Sequence, residues 1–391
     1  MNGAESSADD ASFPGFIPVR LPIDVMAARH FLAGLNISNF DSENVRVLQA
    51  NNGMSNPTYL FYSGAQPRRS RKIIIRKKPP GKLLPGAHQI DREFRVMKAL
   101  QDTRVPVPRV HALCEDEKVL GQSFYVMDFC EGRVLDQEEV MALSPRERHA
   151  VYDDMNRILA EMHTLDHIAL GLEKHGKRGN YAKRQLRTWS RQFRLGVPAI
   201  KKHMDEHEST ENVLEASEPM ERLIAQLEAM AGSVVSDESC LVHGDFRPGN
   251  IILHPTEPSV HAVIDWEIST LGHPIADLAY LMLPWYGPRR FNAQDGTRSS
   301  GGNGLPEGIV PEMEYLRQYC ERSGRSHVVS QREWKFWKAL TLFRIACISH
   351  GVYARGLAGN AGSDKALIHG DYFPLHVYVG LEILESDSSK L

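Results

Sequence analysis

The chain has 391 residues, 42% hydrophobic and 24% charged, a balance that supports a globular protein with a sizeable core. Its formal net charge of −3 argues against nucleic acid as the default partner, and no apolar run reaches membrane-spanning length. Five scattered cysteines (Cys114, Cys130, Cys240, Cys320, Cys347) show neither zinc-finger nor redox spacing and point to a reducing compartment.

Residues 1–14 read as a disordered, acidic N-terminus that is neither a secretory signal nor an Arg-rich transit peptide. Ile23 to Leu35 carries apolar residues at helical spacing. Val45 to Ala50 and Thr58 to Tyr62 read as strands around a tight loop, Asn51-Asn-Gly-Met-Ser-Asn56. Lys72 to Ile75 is a third strand with a β-branched centre, ended by Pro79-Pro-Gly81. A helix over Gln89 to Leu100 follows, Pro106 and Pro108 break the pattern, and Ser123 to Phe129 is a further strand. This succession predicts a small antiparallel sheet carrying one main helix, an N-lobe over residues 15–130.

Past Gly132 the pattern turns helical, over Pro145 to Leu165, Tyr181 to Phe193 and Pro219 to Ala231. A loop-and-strand segment interrupts near residue 241. Helices resume at Pro274, with a long amphipathic one over Gln331 to Gly351. Asp295 to Gly304 reads as a flexible loop. The second lobe is expected over 131–383 and a tail over 384–391. The fold class is therefore α+β, in two lobes.

The interrupting segment, Leu241-Val-His-Gly-Asp-Phe-Arg-Pro-Gly-Asn250 followed by Val263-Ile-Asp-Trp-Glu267, carries the chemistry. Asp245 and Asn250 stand at the D-x-x-x-x-N interval of a kinase catalytic loop, and Asp265 supplies a second acid downstream. Phosphoryl transfer needs an Asp to take or orient a hydroxyl proton, and oxygen ligands for Mg²⁺. Asp245 fits the first role; Asn250 and Asp265 fit the second. His243 fits a brace better than a base, and Arg247 is a supporting candidate in the same loop. Glu267 reads either as an aid to metal or acceptor or as a plain surface carboxylate. A second His-Gly-Asp, His369 to Asp371, has His376 where Asn is needed and reads as structural or as part of a substrate wall.

The upstream sheet is expected to hold a nucleotide. Gly53 would let the backbone approach phosphate, with Ser55 and Asn56 as donors. A cation on the third strand must reach the phosphates, held by a helix carboxylate. Arg76 and Glu93 fit, with Lys77 as the rival cation. Met127, Asp128 and Cys130 lie where an adenine edge would pair with a linker between lobes.

With these motifs the chain resembles the aminoglycoside phosphotransferase and choline kinase-like family. It is most similar to the kinase domains that precede dehydrogenase modules in acyl-CoA dehydrogenase family members ten and eleven. The stretches that carry the likeness include Gly53 to Tyr59, Arg76 to Leu84, Tyr125 to Met127, Gly179 to Tyr181, His243 to Asn250, Asp265 to Glu267, Asp277 to Tyr280 and Gly351 to Arg355. The resemblance implies a protein-kinase-like fold, ATP as donor, phosphorylation of a hydroxyl and Asp277 as a brace of the catalytic loop. It departs from many kinases in Arg76, where they have Lys, and in Asp-Trp-Glu, where they have Asp-Phe-Gly.

Through those relatives the resemblance points to a 4-hydroxyacyl-CoA acceptor. The terminal Ser389-Lys390-Leu391 reads as a peroxisomal address for an import receptor, or else as a chance tripeptide in a cytoplasmic protein. Arg68 to Lys72 with Lys77, Lys78 and Lys82 reads as a coenzyme A contact or a solvated loop. Trp266, Tyr280, Trp285, Tyr286 and Tyr353 read as an acyl cleft or as core. Alternatives are a kinase for another alcohol, sugar or aminoglycoside-like acceptor, or a nucleotide-binding pseudokinase.

Overall fold

Three consecutive isoleucines, Ile73 to Ile75, make a strand that is buried on both faces, and the first sheet is built around it. A computed structural model describes residues 13–35, 37, 40, 44–51, 56–63, 71–81, 89–203, 207–233, 236–288, 305–325, 329–360 and 364–386. Gly53, Ser55, Arg68, Lys82, the 295–304 loop and Ser389, Lys390 and Leu391 lie outside the described residues.

Contacts divide the chain into two units that are not two consecutive stretches. The first takes in residues 1–135, 169–172 and 249–269, and the second takes in 136–168, 173–248 and 270–391. The single break expected near residue 130 therefore misses a strand pair that joins the first unit from the middle of the chain.

In the first unit, β1 (Phe16–Ile17), β2 (Val45–Ala50), β3 (Thr58–Ser63), β4 (Lys72–Lys77), β5 (Val110–Cys114) and β6 (Phe124–Asp128) form one antiparallel sheet, in the order β1-β2-β3-β4-β6-β5. Helix α1 (Val25–Gly34), capped by Asp24, lays Ala28 and Leu32 over Tyr59, Phe61, Ile73 and Ile75 on one face. The opposite face carries Leu48, Leu60, Tyr62 and Ile74, packed with Phe13. Helix α2 (Ile90–Leu100) packs on β5 and β6, and its buried stripe includes one charged residue, Glu93. Short α3 (Glu117–Leu120) links β5 to β6, and a second sheet joins β7 (Arg133–Val134), β9 (Ile251–Leu253) and β10 (Val260–Val263).

The second unit is helical: α4 (Gln137–Ala142), α5 (Pro145–Thr164), α6 (Tyr181–Lys201), α7 (Ser209–Glu215), α8 (Ser217–Met230), α9 (Pro274–Leu281), α10 (Leu283–Tyr286), α11 (Glu312–Arg322), α12 (Gln331–Leu357) and α13 (His369–Glu385). Ser144 opens α5 with a reciprocal capping box to Glu147, and Pro274 sits in the first turn of α9. One two-stranded ladder, β8 (Cys240–Val242) with β11 (Thr270–Gly272), lies among these helices. Gly272 is required there, because a Cβ would come within 2.7 Å of both the Tyr181 ring and Val242.

Candidate active site

The strand period decides which cation of β4 can serve a ligand. Lys77 shares a face with Ile73 and Ile75, and its Nζ donates to the Leu120 carbonyl at 2.8 Å. It is spent in the interior, where burial lowers its pKa. Arg76 points to the opposite face, paired in register with Thr58 on β3 and Tyr125 on β6. Its Nε lies 3.0 Å from Glu93 Oε2, its Nη2 donates to Asp265 Oδ1 at 2.8 Å, and Glu267 Oε2 is 3.9 Å away. The Arg76–Glu93 approach is close but too poorly aligned for a hydrogen bond, so it acts as a charge pair. Asn56, fully buried, brings its Nδ2 to 3.4 Å from Glu267 Oε2.

One guanidinium thus faces three carboxylates. Burial pushes Glu93 up to about 7 against the pull of Arg76, and Asp265 and Glu267 push the same way. Burial works against charge on Arg76, yet Glu93, Tyr125, Asp265 and Glu267 together hold its pKa above the ordinary value. The acidic excess suits a divalent cation, and carboxylate and amide oxygens are the hard donors Mg²⁺ prefers. Asp265 and Asn250 would supply them.

The acidic turn is held by its middle residue. Trp266 is fully buried, its Nε1 donates to the Val263 carbonyl at 3.0 Å, and Ser269 Oγ donates to its carbonyl at 2.6 Å. That anchor keeps Asp265 at φ 66°, a left-handed conformation that an Asp adopts only at a cost. Asn250 is buried, and its carbonyl accepts from Ile264 N at 3.0 Å. At the expected adenine edge, the Asp128 N–H is already donated to the Arg109 carbonyl at 2.9 Å, and its carboxylate meets His111 at 2.8 Å. Asp128 is therefore removed as a base-pairing donor, which leaves Cys130; Met127 packs against the Leu60 and Ile74 face. Burial, with Asp128 nearby, pushes the Cys130 thiol up to about 11.

In the second unit Asp245 follows β8 on a loop pinned from behind. The buried Asp277 carboxylate accepts from His243 N at 2.6 Å and Gly244 N at 2.9 Å, and Gly244 at φ 85° supplies the turn that aims both N–H groups inward. Burial alone would raise Asp277, but the His163 imidazole, with Nε2 3.5 Å away, the His243 charge and the Gly244 N–H bring it below the usual carboxylate range. His243 is fully buried, and its Nδ1 accepts from Asp245 N at 3.2 Å, a bracing contact. Arg247 Nε lies 3.3 Å from both Asp245 oxygens.

Two further residues complete this loop. Burial, and then the Asp245 charge, raise the Tyr280 hydroxyl pKa, and the hydroxyl hydrogen-bonds Asp245. Arg344 lies over the Tyr280 ring, 4.9 Å from its centroid, and donates to the Gly244 carbonyl. Tyr280 follows Asp277 by three positions on α9, so both meet the same loop, a signal the sequence contains. Arg344 comes from α12, a hundred residues on, and gives no local signal.

Other expectations resolve as packing. Trp285 Nε1 donates to the Val310 carbonyl at 2.8 Å, Tyr286 donates to the Ala279 carbonyl at 2.6 Å, and Tyr353 meets Thr210 at 2.7 Å. With the buried Trp266, these make core rather than an acyl cleft; Tyr280 alone of the five is only partly buried. Lys72 pairs with Glu131 and Lys77 is buried, so neither is available to an anion. In the second His-Gly-Asp, Asp371 accepts from Ser209 Oγ at 2.6 Å and clamps the start of α13 to the start of α7.

Comparisons with known proteins fit this arrangement. Residues 46–309 match the phosphotransferase enzyme family. Acyl-CoA dehydrogenase family member 10 of Mus musculus is 39% identical over 90% of this chain, and family member 11 of the same species is 38% identical over 89%. This chain spans only 30% and 42% of the lengths of those two proteins. A Ralstonia eutropha protein solved as a candidate aminoglycoside phosphotransferase superposes with a TM-score of 0.73 at 35% identity, over 93% of this chain and 99% of that one.

Proposed function

This chain belongs to the phosphotransferase enzyme family, and from that premise we propose that it transfers the γ-phosphoryl group of ATP to the hydroxyl of a hydroxyacyl-CoA, of the 4-hydroxyacyl type. Its reaction class is that of a small-molecule kinase. The observation that carries the mechanism is Arg76 set against Glu93, Asp265 and Glu267. Glu93 and Asp265 fix the guanidinium through Nε and Nη2, and its positive charge offsets that of the nucleotide phosphates. Asn250 and Asp265 would hold a Mg²⁺ accompanying the nucleotide, which would supply charge neutralisation at its phosphates. Asp245 orients the acceptor hydroxyl and takes its proton, with Tyr280 and Arg247 fixing the carboxylate. Because the phosphoryl group reacts through a loose transition state, positioning and charge supply most of the rate.

The acyl-CoA acceptor is supported by the names of the relatives and by the need for a hydroxyl to receive phosphate. A peroxisomal location, reached through an import receptor for Ser389-Lys390-Leu391, belongs to the same proposal. The test offers the protein ATP and Mg²⁺ with separate panels of hydroxyacyl-CoAs, amino sugars, sugars and choline-like alcohols, and reads product mass. A phosphorylated hydroxyacyl-CoA is expected, and product confined to another panel overturns the acceptor. Asp245→Asn is expected to lower turnover about a hundredfold or more while nucleotide binding persists. Undiminished turnover in that variant removes Asp245 from its role.

A further inference from the structure

The 29 residues from Lys174 to Lys202 contain ten Lys or Arg and no Asp or Glu, in a chain whose acids outnumber its bases 49 to 46. Most of these cations lie on α6. The helix buries Ala182, Leu186, Ser190, Phe193 and Ile200, and Lys183, Arg187 and Arg191 form an exposed row beside that stripe. Two other cations of the helix are already engaged: Arg184 donates to the Leu271 carbonyl at 3.0 Å, and Arg194 pairs with Glu221 at 2.7 Å. Lys183, Arg187 and Arg191 have no ion pair or hydrogen bond among the described residues. They stand four apart, so each is the helical neighbour of the next and like charges repel along the row. No acid on the helix relieves that repulsion. The row extends about 12 Å, at 1.5 Å per residue.

The helix that carries the row begins against the ladder that leads to Asp245. The row starts one half-turn past Tyr181, whose ring rests on Gly272 and near Val242. Those residues belong to the β8–β11 ladder, and β8 runs directly into His243 and Asp245. Resting on the acyl-CoA reading above, we propose that Lys183, Arg187 and Arg191 dock the diphosphate and 3′-phosphate of coenzyme A, leaving the acyl hydroxyl to Asp245. Three separated cations match a ligand that carries its phosphates in two places. Among the exposed residues of the helix the only large aliphatic is Leu195, so the face lacks the apolar side that a membrane-lying helix buries.

The test measures calorimetric binding of coenzyme A and 3′-dephospho-coenzyme A to the full chain, as wild type and as Arg187→Glu/Arg191→Glu. Beside it, KM is measured for a hydroxyacyl-CoA and for the matching hydroxyacyl-pantetheine, which lacks the nucleotide phosphates. The double variant is expected to weaken coenzyme A about tenfold or more and to raise KM for the CoA ester in step. KM for ATP and for the pantetheine ester should hold, and the wild-type preference for coenzyme A over its dephospho form should shrink with added salt. Arg187→Gln/Arg191→Gln should give a smaller loss in the same direction, and Lys118→Glu, on α3, should give none. Equal coenzyme A affinity in wild type and double variant overturns the proposal. So does a loss shared by ATP and the pantetheine ester, or binding of anionic phosphatidylserine vesicles without any preference for coenzyme A. Coenzyme A bound through this row without phosphorylation of any CoA ester leaves the proposal standing and removes the acceptor reading.

Discussion

Replacing Asp277 by Asn tests whether the catalytic loop is held from behind. The carboxylate accepts two backbone N–H groups, from His243 at 2.6 Å and Gly244 at 2.9 Å, and its side chain is only 2% exposed. Asn keeps one acceptor oxygen and turns an NH₂ group toward the other donor. One charge-assisted hydrogen bond, worth about 1.5–3 kcal/mol, is lost, and the other falls to the strength of a neutral bond. The sum is about 3 kcal/mol, which for a body of this size corresponds to roughly 6–12 °C in Tm. The loop should also exchange its amides faster at His243 and Gly244, and turnover should drop further than nucleotide affinity, because Asp245 loses its fixed position. Thermal unfolding, hydrogen exchange over 241–250 and steady-state kinetics read these three effects. A variant with wild-type Tm and unchanged exchange at those two amides refutes the bracing argument.

Two further outcomes concern the carboxylate cluster. Glu93 rises from 4.5 to about 7, so the folded state holds a proton that the unfolded chain releases in that window, and stability should fall as pH climbs from about 4.5 to about 7. Glu93→Gln should flatten that slope in urea midpoints; parallel wild-type and variant curves count against the shift. Arg76→Met leaves the Glu93 carboxylate, 1% exposed, without its cation, at a cost of about 3–5 kcal/mol near pH 8 and with ATP affinity lost. An unchanged Tm in that variant contradicts the pairing.

Much of the site was legible because its chemistry sits in short runs. Asp245, Asn250 and Asp265 fall within 21 residues, and Arg76 and Glu93 follow from strand and helix period. The choice between Arg76 and Lys77 was not readable, since it depends on which face of β4 meets α1. Strand β5 was hidden behind Pro106 and Pro108, which punctuate the chain just before Val110 pairs with Met127. Helix α6 continues past Gly196 and Pro198 to Lys201, because burial of Ile200 outweighs two weak helix formers. Arg344 and the Ser209–Asp371 clamp join residues a hundred or more positions apart, a distance that local pattern does not bridge.

The discontinuous make-up of the first unit bears on how it is made. Strands β9 and β10, which complete it, emerge only after the 113 residues 136–248 have been translated. At ordinary elongation rates that is a wait of roughly 6–23 s, during which β7 has no partner strand. The nascent first unit must therefore persist unfinished while nearly half of the helical unit is being synthesised, and a gene fragment stopping at Leu135 would encode a sheet with a missing closure rather than a portable module.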